Sequence, residues 1–164
     1  MRALRWLVIA IVVVTALVGC VAVVARFSDG PIGPFPGAKL GGERVAAPVT
    51  DWAPLLAGVD LIDVEVSPDD PRSVRASYIL HDGRLYVPAM FGKKKTWPKL
   101  ASADPRVVLR IDGKLYERRA VRVTDPDELR PLVRSFDGDV EGDLSGISTW
   151  YFRMDPPDAA AARD

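Results

Sequence analysis

Residues 73–89 read SVRASYILHDGRLYVPA, and residues 106–124 read RVVLRIDGKLYERRAVRVT. Each stretch alternates apolar and polar residues on both sides of an Asp-Gly pair, at positions 82–83 and 112–113. Alternation is typical of a strand with one buried face. Asp-Gly between two such runs is the strongest short-range hairpin signal, because glycine accepts the positive φ that the turn requires. Two such hairpins in one chain predict a small antiparallel β domain.

Further strands are expected on either side of the hairpins. Residues 59–66 predict a first strand, and residues 147–154 predict a last strand with Trp150 and Phe152 on one face. Five or six antiparallel strands joined by short helices suit a small barrel, since closure removes exposed sheet edges. The sequence therefore predicts a mainly β (α+β) fold, a small antiparallel barrel with short crossing helices. A half-open β-sandwich is the alternative.

Two helices are predicted between the strands. Residues 96–103 are short and contain Pro98, which a helix tolerates only near its start. They therefore predict a single short helix that connects the two hairpins. A second helix begins with a capping side chain at Asp125, a proline at the next position and Glu128 three residues after the cap. Gly138 is expected to end this helix. Its apolar residues fall at helical spacing and predict a face that packs on the sheet: Leu129, Leu132, Val133 and Phe136.

The N-terminal segment predicts a membrane anchor. Residues 6–25 read WLVIAIVVVTALVGCVAVVA, and about 20 uncharged apolar residues is the length of a helix that crosses a bilayer. Arg2 and Arg5 precede the segment, and Arg26 follows it. The bias of positive residues toward the inside therefore favours a cytoplasmic N-terminus and a single-pass protein of the cell membrane with its domain on the exported side.

Cys20 offers an alternative anchor. The order of a basic start, an apolar run and Leu17-Val18-Gly19-Cys20 is similar to a bacterial lipoprotein signal, in which the cysteine is lipidated after cleavage. Residues 21–25 continue the apolar run beyond Cys20, which favours an uncleaved helix. As the sole cysteine, Cys20 has no partner for an intramolecular disulfide or a thiolate zinc site.

The remaining chain divides by composition. Residues 1–27 form the anchor, 28–50 a Gly/Pro-rich linker, 51–155 the β domain and 156–164 a flexible Ala-rich tail. An ordered arm that packs Ile32 and Phe35 on the domain is the alternative interpretation of the linker. The 22 basic and 22 acidic residues balance, and no continuous basic stretch is present, so a nucleic-acid binder is not expected.

The order hairpin, short helix, hairpin, helix, last strand resembles the split β-barrel superfamily of pyridoxamine-phosphate oxidases and related flavin and deazaflavin reductases. The segments that carry the resemblance are DGRLYVP at residues 82–88, a lysine-containing loop, and LASADP at 100–105 followed by VVL at 107–109. The stretch WPKLASADP at 97–105 is also similar to the tryptophan-led turn of deazaflavin-dependent nitroreductases. The resemblance covers about residues 59–152 and implies a homodimer with a cofactor site across two subunits.

The resemblance also implies a cofactor site. In that superfamily, basic side chains on the loop after the second hairpin strand and at the next helix start hold the cofactor's phosphate. The matching positions are Lys93, Lys94, Lys95 and Lys99, and Trp97 lies beside them. Ammonium groups and the amides of a helix start both favour a phosphate. The implied cofactor is FMN or a deazaflavin. A solvated loop without any cofactor, or a loop that touches anionic lipid head groups, is the alternative.

Other candidate groups are less specific. His81 is the sole histidine and stands beside the first Asp-Gly pair, where a Ser-His-Asp hydrolase is not favoured. One set of aromatic residues could line a pocket for a planar ring or form plain core: Tyr78, Tyr86, Trp97, Tyr116 and Trp150. One acidic loop could hold a cation or simply be solvated: Asp137, Asp139, Glu141 and Asp143. The second hairpin is expected to have a basic outer face formed by Arg110, Arg118, Arg119 and Arg122.

The function expected from these observations is that of a membrane-tethered split-barrel protein, either an FMN- or deazaflavin-dependent oxidoreductase or a non-enzymatic envelope binding and interaction module on the same fold. The expected partners are membrane lipid, through the N-terminal helix, and a second copy of the chain.

Overall fold

The computed structural model describes residues 2–138 and 142–157. The helices are α1 (Arg2–Ala25), α2 (Ala53–Leu56), α3 (Thr96–Ala103) and α4 (Pro126–Phe136), followed by a 3-10 turn at Leu144–Gly146. The strands are β1 (Glu43–Arg44), β2 (Ile62–Val66), β3 (Arg72–Ala76), β4 (Ile79–His81), β5 (Arg84–Ala89), β6 (Arg106–Ile111), β7 (Lys114–Arg122) and β8 (Trp150–Asp155).

Seven strands of the described chain form one antiparallel sheet in the order β3-β2-β6-β7-β8-β5-β4, and β1 pairs with β7 in parallel. Both predicted Asp-Gly hairpins are confirmed, joining β4 to β5 and β6 to β7. Asp82 and Asp112 have φ of 48°, and the glycines that follow have φ of 71° and 74°. Two consecutive positive φ angles define the primed turn whose twist matches the strands.

The sheet curls into a half-barrel. β3 and β4 lie at opposite edges of the strand order, yet only residues 77–78 connect them. A connection this short spans roughly 10 Å at most. The two edges must therefore lie close together, and β3 also contacts β5 across the gap. This single curled sheet confirms the predicted antiparallel barrel and excludes the sandwich.

The expected number of five or six strands is wrong. Residues 73–80 were expected to continue as one strand on alternation alone, but the chain leaves β3 at Ser77 and begins β4 at Ile79. Val74, Ala76 and Tyr78 pack against one cluster of the core, whereas on β4 Ile79 is buried in a second cluster and Leu80 is 37% exposed. The first strand also begins at Ile62, three residues later than the pattern of 59–66 indicates.

Two apolar clusters hold the fold. The inner cluster fills the half-barrel and includes Val64, Leu85, Leu109 and Phe152. The outer cluster lies between α4 and the sheet, where Leu132 and Val133 pack with Tyr151. Leu129 and Phe136 pack against this cluster, so the predicted apolar face of α4 is confirmed.

The helix boundaries follow local signals. α3 has the predicted bounds, Thr96–Ala103. The carboxylate of Asp125 accepts a hydrogen bond from the backbone N–H of Asp127 at 3.0 Å, which confirms the predicted cap of α4. The helix ends before Gly138, whose φ is +91°. Glu128 does not complete a capping box, because its carboxylate binds Tyr86 and Arg153 on the sheet.

Residues 28–50 lie along the domain as an arm, which is the alternative stated for this segment, although Ile32 is 40% exposed and only Phe35 is partly buried. Gly37 exchanges two backbone hydrogen bonds, of 2.9 and 3.0 Å, with Ser73 on the edge strand β3. Leu40 is buried, and its N–H donates to Oε2 of Glu65 at 2.5 Å. Asp29 accepts a hydrogen bond from Arg110 at 2.7 Å. The arm thereby covers the exposed edge of β3.

α1 is apolar, 24 residues long and exposed along its length except at Ala22 and Ala25. Its length and composition suit a membrane span or a signal sequence. Cys20 is exposed on this helix, which continues to Ala25 without a break. Arg26 ties the end of the helix to the domain through a 2.5 Å ion pair with Asp70.

Candidate functional site

A tight turn presents the lysine-rich segment between β5 and α3. Phe91 has φ of +55°, and its carbonyl accepts hydrogen bonds from the N–H groups of Lys94, at 2.7 Å, and Lys95, at 3.2 Å. Gly92 lies directly against the ring of Trp150, where a Cβ would stand 2.3 Å from Cγ. Residue 92 must therefore be glycine for the turn to stay in place. The turn fixes the position of the lysines relative to the end of β5.

A cleft of about 460 Å³ opens between this turn and the arm, and we call it the arm cleft. One wall is the arm, the second is β3 and the third is the start of α3. The lining residues are Pro31, Gly33, Pro34, Phe35, Pro36, Val74, Arg75, Lys94, Lys95, Thr96 and Trp97. The curl of the sheet forms this cleft, because it brings the β3 edge next to the loop that follows β5.

The arm cleft is electropositive at the start of α3. Lys94 and Lys95 are exposed, and no carboxylate of residues 2–138 or 142–157 forms a salt bridge with either ammonium group. Lys95 is the N-cap residue of α3, and no side chain caps the first turn. Unpaired N–H groups and the helix dipole add partial positive charge there. The arrangement favours an anionic group at this end of the cleft.

Arg75, the third cation of the arm cleft, is already paired. Its Nε donates to Oδ1 of Asp63 at 2.9 Å. Hydrogen bonding to Asp63, followed by its charge, raises the pKa of Arg75. Asp63 is buried and also binds Arg110 at 2.9 Å, so the carboxylate joins β3 to β6 and, through Arg110, to Asp29 in the arm. Arg75 thus shapes the wall of the cleft, and the two lysines supply its uncompensated charge.

The structure brings together only some of the predicted site residues. Lys94, Lys95 and Trp97 line the arm cleft, whereas Lys99 is exposed on α3 outside it. Lys93 lines a smaller cleft of about 210 Å³ with Lys94 and residues 146–148. Lys94 stands between the two clefts.

Trp97 belongs mainly to the core. It is 7% exposed, and its ring lies 5.4 Å from that of Phe152 at a tilt of 48°. Only the edge of such a ring is open to a ligand, so Trp97 anchors α3 on the sheet and forms the floor of the cleft. Tyr86 and Tyr116 are also buried in the two clusters.

The remaining candidate groups are dispersed. Nε2 of His81 lies 3.5 Å from Oδ2 of Asp82 on the turn before β5. Asp137 accepts hydrogen bonds from Thr149 and Tyr151. Asp139 and Glu141 lie outside the described residues. Among the residues that the structure describes, no three His, Cys, Asp or Glu side chains come close enough together to hold a metal ion.

The predicted basic outer face of the second hairpin is wrong for Arg118. Arg118 shares a strand face with Tyr116 and Ala120, which are part of the inner cluster, because successive side chains of β7 alternate. Arg118 is 9% exposed. The error arises because the run of arginines hides the alternation of buried and exposed positions.

Two features of the site were not predicted from the sequence, the proline wall of the arm and Arg75. Both depend on contacts between distant segments. The one local signal was the presence of apolar Phe35 within a proline-rich segment, which indicated a packed arm.

No protein-family model matches this chain, and no curated protein matches it by sequence. By structure, it is similar to a candidate pyridoxamine 5′-phosphate oxidase from Listeria innocua, at 16% identity and a TM-score of 0.51 over 63% of this chain and 89% of that one. The fold is a split β-barrel. A FAD-binding protein from Mesorhizobium loti matches at 22% identity and a TM-score of 0.45, over 64% of this chain and 86% of that protein. An F420 reductase matches at 15% identity and a TM-score of 0.42, over 68% of this chain and 96% of that protein.

The arm cleft fits the phosphate end of a flavin-type cofactor. Two ammonium groups and an uncapped helix start are suitable donors for a phosphate. The volume of the cleft lies within the roughly 300–1,000 Å³ of ordinary ligand sites. Its apolar lining, from Phe35, Val74 and the edge of Trp97, suits contact with a ring system.

Proposed function

We propose that this chain is a membrane-tethered split-barrel protein that binds FMN or a deazaflavin in the arm cleft and acts as a reductase. The observation that carries the proposal is the meeting of Lys94, Lys95 and the uncapped start of α3 in one cleft. The sequence resemblance implies a phosphate site on the same loop. The split-barrel fold supports that resemblance.

The chain's own residues would bind and orient the cofactor. Lys94, Lys95 and the first N–H groups of α3 hold the phosphate, and Val74 and Phe35 contact its apolar part. The bound cofactor supplies the hydride chemistry, and the protein contributes position and electrostatics. Lys93 and Lys99 contribute only long-range charge, since neither lines the cleft.

The proposal includes a tether and a second copy of the chain. α1 crosses the membrane with its N-terminus in the cytoplasm, which leaves the domain on the exported side. The continuous helix beyond Cys20 supports this anchor over lipidation. A homodimer follows from the resemblance, which implies a cofactor site shared by two subunits.

The test uses the full chain, purified in detergent from a host that makes both cofactors. Absorbance and fluorescence report any bound cofactor, and titration with FMN and with deazaflavin measures affinity. The double variant Lys94→Ala/Lys95→Ala is expected to weaken binding at least about tenfold, because it removes both charge-assisted contacts to the phosphate. Lys114→Ala, at an exposed lysine on β7, serves as the matched control and is expected to bind as the original chain does.

A second candidate function is a non-enzymatic envelope binding or interaction module. The observation that favours it is the proline-rich wall of the arm, which forms one side of the cleft. A well-folded chain that is colourless and unchanged by either cofactor would support this module and contradict the reductase.

A further inference from the structure

A buried arginine without a carboxylate partner stands at one end of the half-barrel. Arg118 is 9% exposed and lies on the inner face of β7. No carboxylate in the described chain forms a salt bridge with it. Its Nη1 donates to the carbonyl oxygen of Glu117 at 2.8 Å, and its guanidinium lies 4.8 Å from the centre of the Trp52 ring. A guanidinium has five N–H donors, and one carbonyl and one ring satisfy only part of this hydrogen-bonding capacity.

This environment differs from that of the other buried ionised groups on the sheet. Asp63 and Glu65 each have a charged or backbone partner at hydrogen-bond distance. Buried charges are ordinarily paired, because the loss of water must be compensated. Burial lowers the pKa of Arg118 for the same reason. An arginine retained in such a place is suited to bind an anion that the chain itself does not supply.

Arg118 lines an open cleft of about 390 Å³, which we call the mouth cleft. The cleft lies between the segment around α2, the turn before β5 and the end of β8. Its apolar lining residues are Val49, Trp52 and Met154, above the fully buried Leu85. Its lining residues include three arginines, Arg84, Arg118 and Arg153, and one acid, Asp155. The guanidinium of Arg153 is already paired with Asp155 and Glu128. It shares no lining residue with the arm cleft.

We infer that the mouth cleft is a second binding site, which takes a small organic carboxylate with an apolar body. The carboxylate pairs with Arg118, whose planar guanidinium suits bidentate contact. The apolar body lies against Val49, Trp52 and Met154. Asp155 does not compete for Arg118, because both of its oxygens bind Arg153, at 2.7 and 3.0 Å. This site is separate from the cofactor site proposed above and does not depend on it.

The probe is benzoate, which has one carboxylate on a small apolar ring, and its neutral counterpart is benzamide. The full chain in detergent is titrated with each while tryptophan emission is recorded, since a ligand at Arg118 alters the surroundings of Trp52. We expect saturable binding of benzoate, and at least about tenfold weaker binding of benzamide and of inorganic phosphate. Equal binding of benzoate and benzamide would overturn the inference, as would no saturable binding in folded protein.

Two variants test the role of Arg118. Arg118→Leu is expected to reduce benzoate affinity at least about tenfold. Arg122→Leu is the matched control, because Arg122 lies on the same strand and stacks on another tryptophan, Trp150, at 3.7 Å. It is expected to keep the affinity of the original chain.

Stability without ligand distinguishes a binding role from a structural one. Because Arg118 is a buried and incompletely paired charge, Arg118→Leu is expected to unfold at the same urea concentration as the original chain or at a higher one. A lower unfolding midpoint together with unchanged benzoate affinity would show that Arg118 serves packing against Trp52 alone, which contradicts the inference.

Discussion

The hydroxyl of Tyr151 connects the sheet to the end of α4. It donates a 2.6 Å hydrogen bond to Oδ2 of Asp137, and Thr149 donates to the other oxygen of the same carboxylate at 3.1 Å. The Tyr151 ring is buried and packs edge-on against Phe136 at 6.3 Å. Burial, followed by hydrogen bonding to Asp137 and its charge, raises the pKa of Tyr151.

This contact predicts a stability loss at alkaline pH. The folded pKa of Tyr151 lies above the unfolded value of about 10, so the stabilisation is complete below pH 10 and is lost as the pH rises further. Tyr151→Phe is expected to lower the free energy of unfolding at neutral pH by about 1–3 kcal/mol. Urea unfolding between pH 7 and 11 checks this. The difference between the two proteins should shrink above pH 10, and a constant difference would contradict the assignment.

At the scale of elements, Glu128 fixes α4 to two strands. Its carboxylate accepts hydrogen bonds from Tyr86 at 2.9 Å and from Arg153 at 2.7 Å. The side chains of Glu128 and Arg153 are 22% and 24% exposed, so water screens the pair only in part. Glu128→Ala is expected to lower the free energy of unfolding by about 1–2 kcal/mol, after allowance for that screening.

Glu117 provides the control for Glu128. It forms an ion pair with Arg44, and both of these side chains are about half exposed. Pairs of this kind contribute little, so Glu117→Ala is expected to change the free energy of unfolding by less than about 0.5 kcal/mol. Similar losses for the two variants in urea unfolding would mean that Glu128 does not dock the helix.

The arm depends on a close backbone approach at Gly37. A Cβ at this position would stand 2.1 Å from the carbonyl carbon and oxygen of Gly30. Gly37→Ala is therefore expected to release the arm from β3, with faster cleavage by trypsin after Lys39 and an unchanged β core. Pro36→Ala, at an exposed neighbour, is the control. Equal cleavage rates for the two variants would show that the arm docks without the bridge between Gly37 and Ser73.

Local signals predicted the elements that local physics determines. Asp82-Gly83 and Asp112-Gly113 fix their turns through two adjacent residues with positive φ. Asp125 caps its own helix by accepting a hydrogen bond from the N–H of Asp127, two residues along the chain. The break between β3 and β4 has no such local signal. It arises because β3 pairs with β2 whereas β4 pairs with β5. The same holds for the arm, whose place depends on β3 and on Arg110.

The site was predictable in part for the same reason. Lys94 and Lys95 could be proposed from their position on the loop after β5, which the resemblance identified. Their association with the arm depends on the curl of the sheet, which no local pattern records. Arg118 was assigned to the wrong face because adjacent arginines obscured the alternation along β7.

At the scale of the whole molecule, α1 predicts stable membrane attachment independent of Cys20. Fractionation of the full chain and of Cys20→Ala is expected to leave both in the membrane after a high-salt or carbonate wash, because the helix alone is long enough to span the bilayer. The intact mass should match the unprocessed sequence. Release of Cys20→Ala, or a lipid-sized mass increase that this variant lacks, would favour the lipoprotein anchor.

Lys94, Lys95 and the start of α3 are proposed to hold a cofactor's phosphate, and a comparison of FMN with riboflavin tests this role. The two ligands share the same ring system and differ by the phosphate. Equilibrium titration of the full chain is expected to show FMN binding at least about tenfold more tightly, with the advantage absent from Lys94→Ala/Lys95→Ala. Equal affinity for FMN and riboflavin, or an advantage that survives the double variant, would contradict the account.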